Sequence, residues 1–276
     1  MSHFHEALDL VQRTLRDLRE DGVEMCASRE ALEKLGSTEG TERISAVPSP
    51  APPPELSAPS VPSVDIPQAG TKAERLAALR GPVLACTLCP HLVKTRTQVV
   101  FGVGHPEAEL MFIGEAPGED EDRQGEPFVG KAGQLLTKII ETMGLRRSDV
   151  FIANVLKCRP DLPPGMPGNR KPKADEMATC QPYLLQQIEI IQPRVLVALG
   201  AVAMEGLLGE TAPMARLRGR WHDFRGTPLM ATYHPAYLLR NQSIGEKRKV
   251  WEDMLLVLER LGKPISERQR NFFLKA

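Results

Sequence analysis

Leu110-Met-Phe-Ile-Gly-Glu-Ala-Pro-Gly118 sets four apolar residues directly against a loop of glycine, proline and acid. A short apolar run stopped by glycine reads as a buried strand. Three other stretches share the form: Phe151-Ile-Ala-Asn-Val-Leu156, Arg194-Val-Leu-Val-Ala-Leu199 and Leu229 to Tyr233. Longer segments of helical period lie between them. Lys131 to Met143 puts Leu135, Leu136, Ile139 and Ile140 on one face and stops at Gly144. Cys180 to Ile191 is closed by Pro193, Gly200 opens another helix, and Lys247 to Leu261 forms the last. Strand and helix in alternation predict a parallel sheet covered on both faces. The fold class expected is α/β: three layers, α/β/α, on a central, mainly parallel four-stranded sheet. Ligands bind such sheets beyond the carboxyl ends of the strands. The unusual loops, after Ile113, Leu156 and Tyr233, all fall at those ends.

Upstream the character changes. Residues 1–39 read as an acidic amphipathic helical arm, with Phe4, Ala7, Leu8, Val11, Leu15 and Leu18 at three- and four-residue spacing. Residues 40–70 are a Pro/Ser/Ala-rich linker that holds eight of the 24 prolines. The globular domain is expected over 71–276. Hydrophobic content of 42% and charged content of 25% are ordinary for a soluble protein. No apolar run is long enough to span a bilayer, and the N-terminus lacks the basic start and apolar stretch of a secretory signal. A cytoplasmic protein without membrane contact is expected.

The formal net charge of zero hides an asymmetry. Residues 1–70 carry six basic and twelve acidic side chains, so the remainder is net positive. Eight Lys or Arg lie between Met214 and Lys249 against Asp223 and Glu246. Such a patch neutralises phosphates or simply forms a solvated face.

Five cysteines in such a chain argue against a disulfide framework. Cys86 and Cys89 form a Cys-x-x-Cys-Pro element; Cys158 follows the second strand, and Cys180 begins a helix. Spacing alone leaves four readings open: an iron–sulfur cluster, zinc, a redox pair, or buried free thiols. Cys26, in the arm, reads as an ordinary small apolar residue.

The loop Gly114–Asp122 and the segment Gly125-Glu-Pro-Phe-Val-Gly-Lys-Ala-Gly133 flank a turn into a helix. Neither a dinucleotide fingerprint nor a Walker loop is present, so no nucleotide cofactor is expected. Phe128 is an unusual residue for so polar a loop. It serves either as a stacking platform for a flat ring or as a loop anchor under the helix. Asn154 interrupts an apolar strand, and its amide needs partners. His234-Pro-Ala-Tyr-Leu-Leu-Arg240 follows the fourth strand, with two leucines beside a cation, a pattern suited to insertion into a duplex.

From about Arg75 to Leu261 the chain resembles the family 4 (thermostable-type) uracil-DNA glycosylases. The resemblance is carried by Gly-Glu-Ala-Pro-Gly at 114–118, the 125–133 segment, Asn-Val-Leu-Lys-Cys-Arg-Pro at 154–160 and the 234–240 segment, with the four cysteines in order. It implies a monofunctional enzyme that flips deoxyuridine from DNA and releases uracil, and it turns the cysteine site into a structural [4Fe-4S] cluster on Cys86, Cys89, Cys158 and Cys180. Gly114, Glu115 and Ala116 then line the uracil site, Phe128 stacks on the ring, Asn154 reads its edge, and His234 stabilises the departing anion. Glu115 orients water or favours positive charge on the sugar. Leu238 and Leu239 fill the gap in the duplex, and Arg240 holds a phosphate. The alternative is a catalytically silent iron–sulfur module that binds DNA lesions. The partner expected is uracil-containing DNA, bound by a monomer. The arm either docks a repair or replication protein or is a passive tail. Two departures stand out. Residues 161–168 read as an insertion in the loop between Cys158 and Cys180. That loop also lacks the histidine through which a related branch traps DNA.

Overall fold

The computed structural model describes residues 69–160, 162, 166 and 168–274. The predicted arm, nearly all of the linker and most of the 161–168 insertion lie outside the described residues.

Thr71 caps the first helix, α1 (Lys72–Leu84). Its hydroxyl accepts from the Glu74 amide at 3.2 Å while the Glu74 carboxylate accepts from the Thr71 amide at 2.8 Å. A short α2 (Pro90–Thr95) leads into β1 (Val103–Gly104) and β2 (Leu110–Gly114). Then come α3 (Glu119–Gln124), α4 (Lys131–Thr142), β3 (Phe151–Asn154), α5 (Ala174–Ile191), β4 (Val195–Leu199), α6 (Ala201–Leu208) and α7 (Met214–Leu217). The chain continues through β5 (Trp221–Phe224), β6 (Thr227–Thr232), α8 (Pro235–Arg240), α9 (Ile244–Leu261) and α10 (Glu267–Asn271).

The strands form one six-stranded sheet in the order β1-β3-β2-β4-β6-β5. Its centre, β3-β2-β4-β6, is parallel throughout and consists of the four strands expected from the apolar runs. The difference is at the margins, where β1 and β5 add antiparallel edges. Two residues of β1 are too few to show a period. Trp221-His-Asp-Phe224 is half exposed and sits among arginines, so it lacks an apolar run. Arg225 and Gly226 both take positive φ between Phe224 and Thr227, which turns β5 tightly into β6.

Alternate residues of each central strand serve opposite layers. Met111 and Ile113 share a core with Leu79 and Val83 of α1, Leu184 of α5 and Met204 of α6. Leu110 and Phe112 pack with Leu136 and Ile140 of α4 and with Trp251 and Val257 of α9. Both faces are apolar, so the expected three layers follow. Beyond Asn154 the chain stays beside β2: the amides of Val155 and Leu156 donate to the carbonyls of Gly114 and Glu115, each at 3.0 Å. This continuation holds the two loops side by side at the open end of the sheet.

Candidate active site

The parallel register sets Gly114, the last residue of β2, opposite Asn154, the last of β3. Asn154 is buried, and its Oδ1 has no hydrogen-bond partner. A buried unpaired amide oxygen is costly and marks a place where a donor is missing. A Cβ added to Gly114 would lie 2.4 Å from that oxygen and 2.5 Å from the Phe128 Cζ. The side chains of Asn154 and Phe128 therefore meet over a bare glycine. The Phe128 ring in turn lies 5.6 Å from the His234 ring, centroid to centroid, tilted by 32°. Four residues named from separate motifs thus share one spot. Glu115 and Ala116 follow Gly114 and are half-buried. Burial raises the pKa of Glu115, opposed by the positive charge of Lys171 and reinforced by Glu205.

Of the two readings its sequence context allowed for Phe128, the loop anchor is the one the packing bears on. It is buried and packs in the core layer with α4, and it also faces His234. Its φ of 54° is unusual for a residue with a side chain and costs about 1–3 kcal/mol. Surrounding groups hold it there. Glu121 Oε1 accepts from the amides of Val129 at 2.9 Å and Gly130 at 3.0 Å, while Oε2 accepts from the amide of Gly118. Arg147 donates to the Pro127 carbonyl at 2.6 Å. A Cβ on Gly133 would come within 1.8 Å of the Phe128 carbonyl oxygen, so α4 approaches this loop only because it has glycine there. In the sequence Glu121 is one of four consecutive acids, Glu119 to Asp122, and its composition does not single it out. Its signal was a glycine N-cap followed three residues later by Glu. Nothing in the sequence marked Arg147.

His234 caps α8. Its Nδ1 accepts from the Ala236 amide at 3.1 Å. In the neutral ring the proton therefore sits on Nε2. Burial, helped by the positive charge of Arg240, pushes its pKa down to about 4. The ring is a neutral N–H donor at physiological pH. Behind it, the Thr232 hydroxyl donates to Asp253 at 2.6 Å, and Arg218 pairs with the same buried carboxylate at 2.7 Å.

The two leucines of α8 differ. Leu239 is 38% exposed and Arg240 is exposed, whereas Leu238 is 5% exposed. Of the two leucines expected to enter a duplex, Leu238 turns into the protein in this structure and Leu239 is the exposed one. The basic patch is also partly committed, since Arg218, Arg248 and Lys249 pair with Asp253, Glu252 and Glu246. In the loop after Cys158, Arg170 pairs with buried Glu176 and Lys171 with Glu205.

The four cysteines come from α1's end, the cap of α2, the turn after β3 and the body of α5, and none is in a disulfide. Burial pushes Cys89 up to about 11 and Cys180 up to about 12, and it raises Cys158. Cys89 and Cys180 each feel Cys86 and Cys158, which puts the four thiols in one neighbourhood. Arg96 donates to Cys158 Sγ at 3.0 Å, and the Lys157 amide donates to Cys180 Sγ at 3.2 Å. These are donors suited to thiolates. Among the described residues, no group of three or more His, Cys, Asp or Glu is arranged to hold a single metal ion.

A buried aromatic ring, an unsatisfied amide and an imidazole thus gather where the parallel strands end, the place at which α/β sheets bind ligands. Residues 101–255 match the model of the uracil DNA glycosylase superfamily. A type-4 uracil-DNA glycosylase of Thermotoga maritima is 46% identical over 187 residues, which is 67% of this chain and 93% of that protein. Its counterpart in Archaeoglobus fulgidus is 42% identical over 173 residues, 60% of this chain and 83% of that protein. A type-5 uracil-DNA glycosylase of Thermus thermophilus is 30% identical over 219 residues, 64% and 94% respectively. The chain belongs to the uracil DNA glycosylase superfamily, beside its type-4 members.

Proposed function

We propose that this protein draws a deoxyuridine out of DNA to the ends of β2, β3 and β6 and hydrolyses its N-glycosidic bond, releasing uracil. The observation that carries this reading is the buried, unpartnered Oδ1 of Asn154 against Gly114 and Phe128. Uracil offers a donor at N3 and an acceptor at O4. The Asn154 amide answers both, with Oδ1 accepting and Nδ2 donating. Cytosine presents the opposite pattern and leaves both groups unpaired. Phe128 stacks on the ring. His234 donates its Nε2 proton in a hydrogen bond to O2, where negative charge gathers as the bond to the sugar breaks. Glu115, next to Gly114, accepts a hydrogen bond from the attacking water or offsets positive charge on the sugar. Leu239 fills the gap in the duplex, and Arg240 holds a phosphate. DNA bearing uracil is the partner, the cytoplasm remains the expected location, and the working unit is a monomer.

Release of free uracil from single- and double-stranded oligonucleotides, with cytosine and thymine controls, tests this directly. Tight binding without release would leave only a lesion-binding module.

Two substitutions probe the pocket. Gly114→Ala drives a methyl group against the ends of the Asn154 and Phe128 side chains, which must shift from their present positions to admit it. The fold is expected to survive, while displacement of the base lowers the rate by about 10²-fold. A wild-type rate in Gly114→Ala would mean that the base does not sit there. Glu115→Gln keeps the shape and removes the charge. A loss of about 10²-fold or more is expected in single-turnover release; an unchanged rate takes Glu115 out of the chemistry.

The donor set of four gathered thiols fits a [4Fe-4S] cluster, which takes one thiolate per iron. Cys86, Cys89, Cys158 and Cys180 would hold it. When bound, a cluster would contribute folding stability by tying the segment before β1 to the turn after β3 and to α5. Iron and sulfide analysis of the purified protein, with its visible absorbance, tests the assignment.

A further inference from the structure

Lys157 is 1% exposed, yet it carries an ammonium group into the core. That group donates to the main-chain carbonyl of Asn154 at 2.9 Å and to Gln187 Oε1 at 2.6 Å. Gln187 is itself fixed, because its Nε2 donates to the Phe101 carbonyl at 2.9 Å. Both acceptors of the ammonium are neutral. Among the described residues, no carboxylate is bonded to it. Burying a cation on neutral acceptors is costly, and an apolar side chain would fill the same slot more cheaply. The main chain of Lys157 is anchored as well: its amide donates to Cys180 Sγ at 3.2 Å, and its carbonyl accepts from the Val100 amide at 2.8 Å. One residue therefore ties the cysteine region to the peptide group that aims the Asn154 side chain.

We propose that Lys157 is a positioning residue for uracil recognition, its ammonium holding the Asn154 main chain so that the amide meets the base edge at the right angle. This rests on the assignment of Asn154 as the reader of that edge. Hydrogen bonds from a charged donor are stronger and more directional than neutral ones. A clamp of this kind fixes a peptide plane more tightly than an apolar contact does. The ammonium bonds the Asn154 main chain and not its side chain, so its effect passes through Asn154.

The test is a double-mutant cycle on the purified full chain with Lys157→Met, Asn154→Ala and the pair. Lys157→Met keeps the length of the side chain and removes the donors. The expected loss in kcat/KM for uracil is about 10–100-fold, the scale of one charged hydrogen bond. The ratio of uracil to cytosine release falls with it. Affinity for DNA carrying a tetrahydrofuran abasic analogue, which has no base to read, stays within about twofold. In the Asn154→Ala background, Lys157→Met costs nothing further. Additive losses, or an equal loss of affinity for the abasic analogue, would overturn the proposal and leave Lys157 a core-filling residue. Full uracil selectivity in Asn154→Ala alone would overturn the reader assignment and this inference together. If Lys157→Met does not fold, Lys157→Arg, which keeps the charge but displaces the donor, enters the same cycle and is held to the same pattern.

Discussion

Uracil release by His234→Ala protein is expected to run about 10²–10³ slower than wild type in single-turnover assays, with little change in affinity for DNA. The imidazole acts where charge develops, so its removal is felt in the rate more than in binding. The geometry also gives the sign of the pH dependence. His234 titrates near 4 instead of 6.5, because it is buried and faces the charge of Arg240. A proton on Nδ1 would meet the Ala236 N–H, which already points there, and undo the α8 cap. The neutral, competent form therefore persists from pH 8 to about 5, and its contribution fades only as pH falls toward 4. Because the unfolded ring takes up its proton near 6.5, fold stability also drops as pH falls from about 6.5 to 4. Replacing His234 removes that part of the drop. A wild-type rate that rises as pH falls through about 6.5, with the rise lost in His234→Ala, would mean that the ring works charged.

Asn154→Asp is expected to have the second large effect, on choice of base. The amide offers acceptor and donor in fixed order. A carboxylate offers only acceptors, and a protonated carboxyl can present its donor to N3 of cytosine while accepting from N4. The ratio of uracil to cytosine release is expected to fall by about 10²-fold or more, mainly through slower uracil release. The lone unsatisfied oxygen in this buried site is what makes the effect large, since the penalty for an unpaired group grows as water is excluded. Equal selectivity in the two proteins would move recognition elsewhere in the pocket.

The four central strands were legible because each is a short, doubly buried apolar run, and doubly buried strands show no competing pattern. The edges were not. In β5, Trp221, His222 and Asp223 are partly exposed, and only pairing with β6 makes the segment a strand. Helix α5 starts at Ala174, six residues before the predicted Cys180, because Glu176 reaches back to the Lys173 amide at 2.7 Å. The site was legible as types: an out-of-place aromatic, an amide inside an apolar strand, a histidine at a strand end. Which of them converge was not, because convergence depends on the register of Gly114 with Asn154 and on the left-handed turn at Phe128. Lys157 was invisible as a buried cation, since a lysine beside a cysteine and an arginine reads as surface. Leu238 and Leu239 look alike in sequence, and only the rotation of α8 separates them.

The most direct measurement is a crystal structure of the protein with DNA containing 2′-fluoro-deoxyuridine, whose electron-withdrawing substituent slows bond cleavage. The predicted result is a uracil outside the duplex, stacked on Phe128, its N3 and O4 bonded to the Asn154 amide and its O2 to His234 Nε2. A uracil still paired in the helix, or turned so that this edge faces solvent, would contradict it.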